Sequence, residues 1–212
     1  MGRGRHAGYE EQRELILARA AALFARAGYP STSMNQVAEA CGLSKATLYH
    51  YYRDKYALLV SIADGHVSRL QGIVAEALAE ESTPQGQMRA LVRRLVEAYA
   101  NAQNEHRVLT EDVKFLQPQD RDRILGKERE VVAGFARVVA ALRPDLEEAA
   151  MNKPLTMLLF GMVNWMFTWM KPQGRLAYED MAPVVADLFL GGLHAVQAPL
   201  GATRSVDATA LD

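Results

Sequence analysis

The densest cluster of side chains suited to polar chemistry is CGLSKATLYHYYRDKY, residues 41–56. Tyr49, Tyr51, Tyr52 and Tyr56, four of the chain's eight tyrosines, fall there within eight positions, interleaved with Ser44, Lys45, Thr47, His50 and Lys55. These are hydrogen-bond donors on short, rigid or extensible stems, the groups that meet phosphate oxygens and base edges. Lys45 suits guanine O6 or N7, Ala46 is small enough to touch a thymine methyl, and Thr47, Tyr49 and Tyr51 suit phosphates. Bond-breaking chemistry has no comparable cluster. His6, His50, His66, His106 and His194 are scattered without metal-ligand spacing, and neither an HExxH motif nor a glycine-rich phosphate loop occurs. Asp64 with His66 and Glu111 with Asp112 are the nearest approach to acid/base pairs, yet residues one or two apart on a helix point in different directions. The single cysteine, Cys41, supports neither an internal disulfide nor a cysteine-based metal site and reads as inert core. An enzyme and a bound cofactor or metal are therefore not expected.

Helices must position this cluster. Alanine, leucine, glutamate, arginine and methionine dominate, and the Val/Ile/Thr runs that would signal strands are missing, so the fold expected is all-α, with about nine helices. Apolar residues at helical spacing predict a first helix over 11–27, ended by Gly28. Ser33 with Gln36 has the form of a capping box opening a short helix that Gly42 closes. Ser44 then caps a third helix over 45–52, and Asp54 a fourth over 55–81. Two short helices joined by a turn containing Gly42 match helix-turn-helix geometry, whose second helix enters the major groove. With Leu48 at the centre of the buried face and ~100° per residue, Tyr52 lands beside it. Ala46, Tyr49 and His50 point away, and Lys45 and Thr47 lie on the flanks. Lys55 sits at a helix N-terminus that favours an anion, and Arg3, Arg5 and His6 form a basic arm.

Further helices are predicted over 84–103, 107–116, 119–142, 155–170 and 179–196, followed by a disordered tail over 199–212. The apolar run at 155–170 is sixteen residues long and includes Thr156, Asn164 and Thr168. A membrane span needs about 20 apolar residues, so this segment is expected to be a core or interface helix that buries more than one face. With 179–196 it would form half of an intersubunit four-helix bundle, making a homodimer. Met162, Met166 and Met170 recur every four residues, with Trp165 and Trp169 one step round, a stripe suited either to a pocket or to a dimer core. Asn164 among apolar neighbours needs a hydrogen-bond partner. Residues 1–60 hold eight Lys/Arg against five Asp/Glu, while the whole chain carries −1. A basic N-terminal quarter on an acidic remainder suggests a local polyanion contact. A start without secretory features fits a cytoplasmic, nucleoid-associated protein.

The run TSMNQVAEACGLSKATLYHYYRDKYALL resembles the DNA-binding domain of the TetR family of transcriptional repressors over about residues 12–60. The match lies in order and spacing: an alanine-rich first helix, the aromatic after Gly28, the Ser33 cap, Gly42, then Ser-Lys-x-Thr-Leu-Tyr-x-Tyr and the lysine of the next helix. The resemblance implies two-domain all-α homodimers that bind a DNA operator, with DNA contacts on Ser33, Asn35, Lys45, Thr47, Tyr49, His50, Tyr51 and Lys55. Ser44 and Ala46 complete the candidate set. The domains expected are a DNA-binding domain over 10–56, its motif at about 33–52, and a ligand-binding and dimerisation domain over 57–198.

LFGMVNWMFTWMKPQGRL, residues 159–176, is similar to the C-terminal domain of TetR-family repressors of fatty-acid and aromatic-acid breakdown, which respond to acyl-CoA thioesters. HRVLTEDVKFL and KEREVVAGF resemble regulators of phenylacetate catabolism. The resemblance implies an acyl-CoA inducer, phenylacetyl-CoA foremost. Tyr99, Phe115, Phe160, Trp165, Met166 and Trp169 are the candidate apolar lining, with Lys114, Arg137, Lys171 and Arg175 available for CoA phosphates. A DNA-binding protein without a ligand is the alternative.

Overall fold

The computed structural model describes residues 3–170 and 174–198; Lys171 and the expected tail at 199–212 lie outside the described residues. Nine α-helices and no strand are found among them: α1 Arg3–Ala27, α2 Met34–Ala40, α3 Lys45–Tyr51, α4 Lys55–Glu80, α5 Pro84–Asn101, α6 Gln103–Glu111, α7 Pro118–Leu142, α8 Asn152–Trp169 and α9 Tyr178–Leu193. The chain is all-α, with the helix-turn-helix in its N-terminal part and a helical C-terminal domain.

Helix ends follow local chemistry wherever a cap is present. Gly28 and Gly42 both adopt left-handed backbone, at φ 84° and 65°, a conformation that costs glycine nothing. Other boundaries carry no such mark. α1 starts at Arg3 rather than residue 11, because apolar periodicity reports where a helix is buried and nothing from Arg3 to Glu10 stops it earlier. The break between α5 and α6 falls at Ala102, at φ −138° and ψ 43°, with neither glycine nor proline beside it. The helix expected over 107–116 is in fact α6 followed, after Asp112, by a 3-10 turn at Val113–Phe115.

The chain divides into two compact units after Gln71, Glu97 and Glu128, so that the segment Ala98–Glu128 belongs with the N-terminal residues. In this first unit Ile16, Ala20 and Phe24 of α1, Val37 of α2, Leu48 of α3, Leu58, Leu59 and Ile62 of α4, Val108 and Leu109 of α6 and Ile124 of α7 form one core. Tyr56 ties the start of α4 to the start of α7: its hydroxyl donates to Asp120 Oδ2 at 2.7 Å and accepts from the Gln117 amide at 3.0 Å. Asp64 is engaged by Arg123 and, at 2.7 Å, by Lys127, and Glu111 by Arg107 at 2.8 Å. Both acids are committed to ion pairs.

A polar pair lies inside this unit. His66 Nε2 of α4 is 3.3 Å from His106 Nδ1 of α6, the His106 ring stacks on Tyr99 at 3.7 Å, and His66 Nδ1 is buried without a partner. Burial drives both imidazoles toward the neutral form. His66, with the His106 and Arg69 charges adding to burial, is pushed down to about 3, and His106 to about 4. Asn164, by contrast, is exposed on α8 rather than enclosed.

The second unit packs Phe135 of α7 on Phe160 of α8 at 4.9 Å and Phe167 of α8 on Tyr178 of α9 at 4.4 Å. The α9 C-terminus is closed from α7: Arg143, just past that helix, donates to the Leu193 carbonyl and to the Val196 carbonyl at 2.8 Å. Gly134 on α7 sits where an added Cβ would press into Val74 Cγ1, and a β-branched side chain has few χ1 rotamers with which to give way.

Two outcomes follow. Gly134→Ala lowers stability by about 1–3 kcal/mol, read as a lower midpoint in urea denaturation. Acidification destabilises the fold through the histidine pair, because the unfolded chain takes up protons near 6.5 while the folded rings resist them until about 4 and 3. This contribution is fully present above pH 6.5, falls by up to about 1.4 kcal/mol per pH unit per ring, and levels off below the folded values. Replacing both His66 and His106 with leucine flattens the dependence of denaturation midpoint on pH.

Candidate nucleic-acid interface

The helix-turn-helix is assembled from caps. Ser33 Oγ accepts from the Gln36 amide at 3.3 Å while Gln36 Oε1 accepts from the Ser33 amide at 2.8 Å, the complete capping box of α2. At the other end Leu43 N–H donates to Ala38 O at 2.9 Å and Gly42 N–H to Glu39 O at 3.0 Å. That pair of bonds is the Schellman arrangement, which the left-handed Gly42 permits. Ser44 Oγ accepts from the Thr47 amide at 3.0 Å and opens α3. Asp54 Oδ1 accepts from the Ala57 amide at 2.7 Å and opens α4. Each sharp change of direction is thus held by side-chain or backbone bonds close in sequence.

Within α3 only Leu48 is buried, at 0% exposure, with Tyr52 just beyond at 4%. Lys45, Ala46, Thr47, Tyr49 and His50 are all exposed. Tyr49 is 42% exposed, although a ring of that size gains about 2 kcal/mol from burial. Lys45 Nζ lies 5.9 Å from the centre of the Tyr49 ring, which keeps the ammonium on the same open side. Asn35 and Ser33 are exposed on α2 and at its cap; Ser44 is exposed too, its hydroxyl 2.8 Å from that of Thr47.

Two candidates are more constrained than the sequence indicated. Tyr51 is half-buried and stacks on Tyr9 of α1 at 4.8 Å. Lys55 donates to the carbonyls of Tyr29 at 2.7 Å and Pro30 at 3.1 Å, and lies 4.4 Å over the Tyr29 ring. An ammonium has three donors, so one remains for an outside acceptor while two fasten α4 to the turn between α1 and α2. Partial burial lowers the Lys55 pKa. Tyr9 went unnoticed in the sequence because it precedes the apolar stripe of α1. Arg3, Arg5 and His6 fall on the first turn of α1.

The candidate ligand residues are not brought together. Tyr99, Lys114 and Phe115 belong to the first unit, where Phe115 lies 5.5 Å from Tyr29 and Lys114 Nζ 5.3 Å from the Phe115 ring. In the second unit Phe160 and Met166 are buried, at 8% and 2%, whereas Arg137 and Arg175 are exposed. Trp165 and Trp169 are 69% and 55% exposed and share the outer face of α8 with Met157 and Leu158. Val184 and Leu188 form a matching exposed strip on α9. One cleft of ≈ 390 Å³ in the first unit is lined by Glu14, Ser61, His66, Arg69 and Glu105. Another of ≈ 510 Å³ in the second unit is lined by Glu80, Arg89, Arg93, Glu179 and Pro183. None of the nine candidate ligand residues that are described lines either cleft. Among the described residues no His/Cys/Asp/Glu group is arranged to hold a metal, and no helix is long and apolar enough to cross a membrane.

Comparison with known proteins agrees with this geometry. Residues 16–62 match the family model for bacterial regulatory proteins of the tetR family, and residues 81–193 that for the tetracyclin repressor-like C-terminal domain. A TetR-family transcriptional regulator from Bordetella parapertussis is 34% identical, with TM-score 0.81, over 87% of this chain and 97% of that one. The repressor KstR2 of Rhodococcus jostii is 24% identical over 88% of this chain and 93% of its own length. The activator FasR of Mycolicibacterium smegmatis is 26% identical over 117 residues, and the match spans about half of FasR, 53%. AibR, solved in complex with isovaleryl coenzyme A and operator DNA, shares the fold with TM-score 0.71 at 24% identity over 84% of this chain and 97% of its own. With both halves matched and the N-terminal helix-turn-helix in place, the chain belongs to the TetR family: it is a DNA-binding transcriptional regulator and not an enzyme.

Proposed function

We propose that the protein is a repressor that binds a palindromic operator as a homodimer and leaves it when a small-molecule inducer, an acyl-CoA thioester, is bound. The observation that carries the DNA part is the open arc of α3, with Lys45, Ala46, Thr47, Tyr49 and His50 exposed. Lys45 and Ala46 meet base edges, while Ser33, Asn35, Ser44, Thr47, Tyr49, His50, Tyr51 and the remaining donor of Lys55 meet the backbone. Residues 10–56 carry this role and 57–198 the ligand and dimer roles.

The dimer part is supported by the exposed apolar residues Met157, Leu158, Trp165 and Trp169 on α8 and Val184 and Leu188 on α9, since large apolar side chains gathered on a helix face mark interaction surfaces. On this reading Trp165 and Trp169 serve the dimer face, and Phe160 and Met166 are the better candidates for an acyl-binding interior. Two copies present their α3 helices to successive major grooves ~34 Å apart.

Phenylacetyl-CoA is the lead inducer, on the likeness of residues 106–116 and 127–135 to phenylacetate regulators. The AibR complex adds the precedent of a CoA thioester and operator DNA on the same fold. Release requires the ligand to favour one dimer state over the other; equal affinity for both shifts nothing. Routes for that preference run through α4 and α6, joined by the His66–His106 contact, and through Phe115, in the turn after α6, against Tyr29 in the turn ahead of α2.

The test is enrichment of duplexes from fragmented genomic DNA by the purified protein, followed by mobility-shift titration with a panel of CoA thioesters. The expected result is a palindrome near the protein's own or neighbouring genes, released by phenylacetyl-CoA at lower concentration than by free CoA. Enrichment without any palindrome overturns the repressor reading. Binding indifferent to every thioester removes the inducer while leaving the DNA contact in place.

A further inference from the structure

α3 has seven residues and one buried side chain. A helix of two turns has almost no stability of its own, so the attitude of its last turn depends on what grips it. The grip comes from α1. Tyr9 and Arg13 stand four apart and so share a face of that helix. Each meets one of the two tyrosines at the end of α3. The Tyr9 ring stacks on Tyr51 with centroids 4.8 Å apart and planes 24° from parallel. The Arg13 guanidinium lies 5.6 Å from the centre of the Tyr52 ring. His50 meets Tyr51 edge-on at 5.7 Å, so Tyr9, Tyr51 and His50 make a run of three rings from α1 to the open arc of the recognition helix. Tyr9 itself is 36% exposed and takes no place in the core.

We infer that Tyr9 is a positioning residue for DNA binding: its ring holds Tyr51 so that the Tyr51 hydroxyl is presented to a backbone phosphate. The inference rests on the reading of α3 as the DNA-contacting helix and adds a residue from outside the helix-turn-helix motif. The physical reason is preorganisation. A half-buried phenol free to rotate loses that freedom when it docks on DNA, whereas a stacked one has lost it already, in folding. Stacked aromatic pairs are strong enough to hold a side chain with two torsions in one orientation.

The experiment is a double-mutant cycle in DNA affinity, measured by fluorescence anisotropy on the duplex that the wild-type protein enriches from a random library. Tyr51→Phe, which removes only the hydroxyl, and Tyr9→Ala each weaken binding by about three- to ten-fold. Tyr9→Phe, which keeps the ring, restores the affinity lost by Tyr9→Ala. On the Tyr51→Phe background Tyr9→Ala costs nothing further, since no hydroxyl is left to aim. A merely structural Tyr9 gives the same loss on both backgrounds, and that additivity overturns the proposal. Tyr9→Leu, which keeps apolar bulk without a stacking face, replaces the alanine variant if the latter fails to fold, and is expected to bind as weakly. A Tyr51→Phe protein that binds like wild type also overturns the proposal, but enrichment of a palindrome by the wild-type protein then leaves the DNA-binding reading standing.

Discussion

Leu48 buried in the core that α3 shares with α1, α2 and α4, with Tyr52 beside it, is the contact on which the recognition surface depends. A seven-residue helix does not hold itself in place, and one apolar side chain at its centre decides which arc faces inward and therefore which faces out. Around that anchor the rest is boundary work. Ser44 opens the helix, Gly42 lets α2 stop abruptly enough to turn into it, and Lys55 binds the following helix to the Tyr29 and Pro30 carbonyls. Shifting the buried position from 48 to 49 would rotate the outward set by ~100° and turn Tyr49 toward the core.

This dependence explains why the DNA-binding end was legible in the sequence. Ser33 with Gln36, Gly28, Gly42, Ser44 and Asp54 act on bonds within a few residues of themselves, so their effect is written locally. The outward orientation of Ala46, Tyr49 and His50 needed only the helical repeat and one correctly chosen buried residue. Tyr9 and the tie from Lys55 to the turn ahead of α2 were not legible, because both depend on residues more than twenty positions away. The pairing of His66 with His106 is of the same kind: nothing in either local sequence announces that two imidazoles forty residues apart will come within hydrogen-bond distance. Ala102, where α5 ends and α6 begins, carries none of the residues that mark a break.

The C-terminal half was legible in class and not in detail. The apolar character of α8 on all sides reflects two different burdens, since Leu155, Leu159, Phe160, Val163 and Met166 fill the interior while Met157, Leu158, Trp165 and Trp169 face outward. Periodicity reports that both faces are apolar and is silent on which one meets a partner. The basic candidates for a CoA phosphate, Arg137 and Arg175, are exposed, and a solvated surface arginine looks the same in sequence as a ligand contact.

Chemical labelling of the histidines tests the central claim most directly, because the structure places them in contrasting surroundings: His50 on the open arc, His194 exposed beyond α9, and His66 buried. Diethyl pyrocarbonate acylates accessible imidazoles, and mass spectrometry reads each site with and without the duplex that the protein selects. The account predicts that His50 is labelled in the free protein and shielded in the complex, that His194 is labelled in both, and that His66 is labelled in neither. Equal labelling of His50 with and without bound DNA would contradict it.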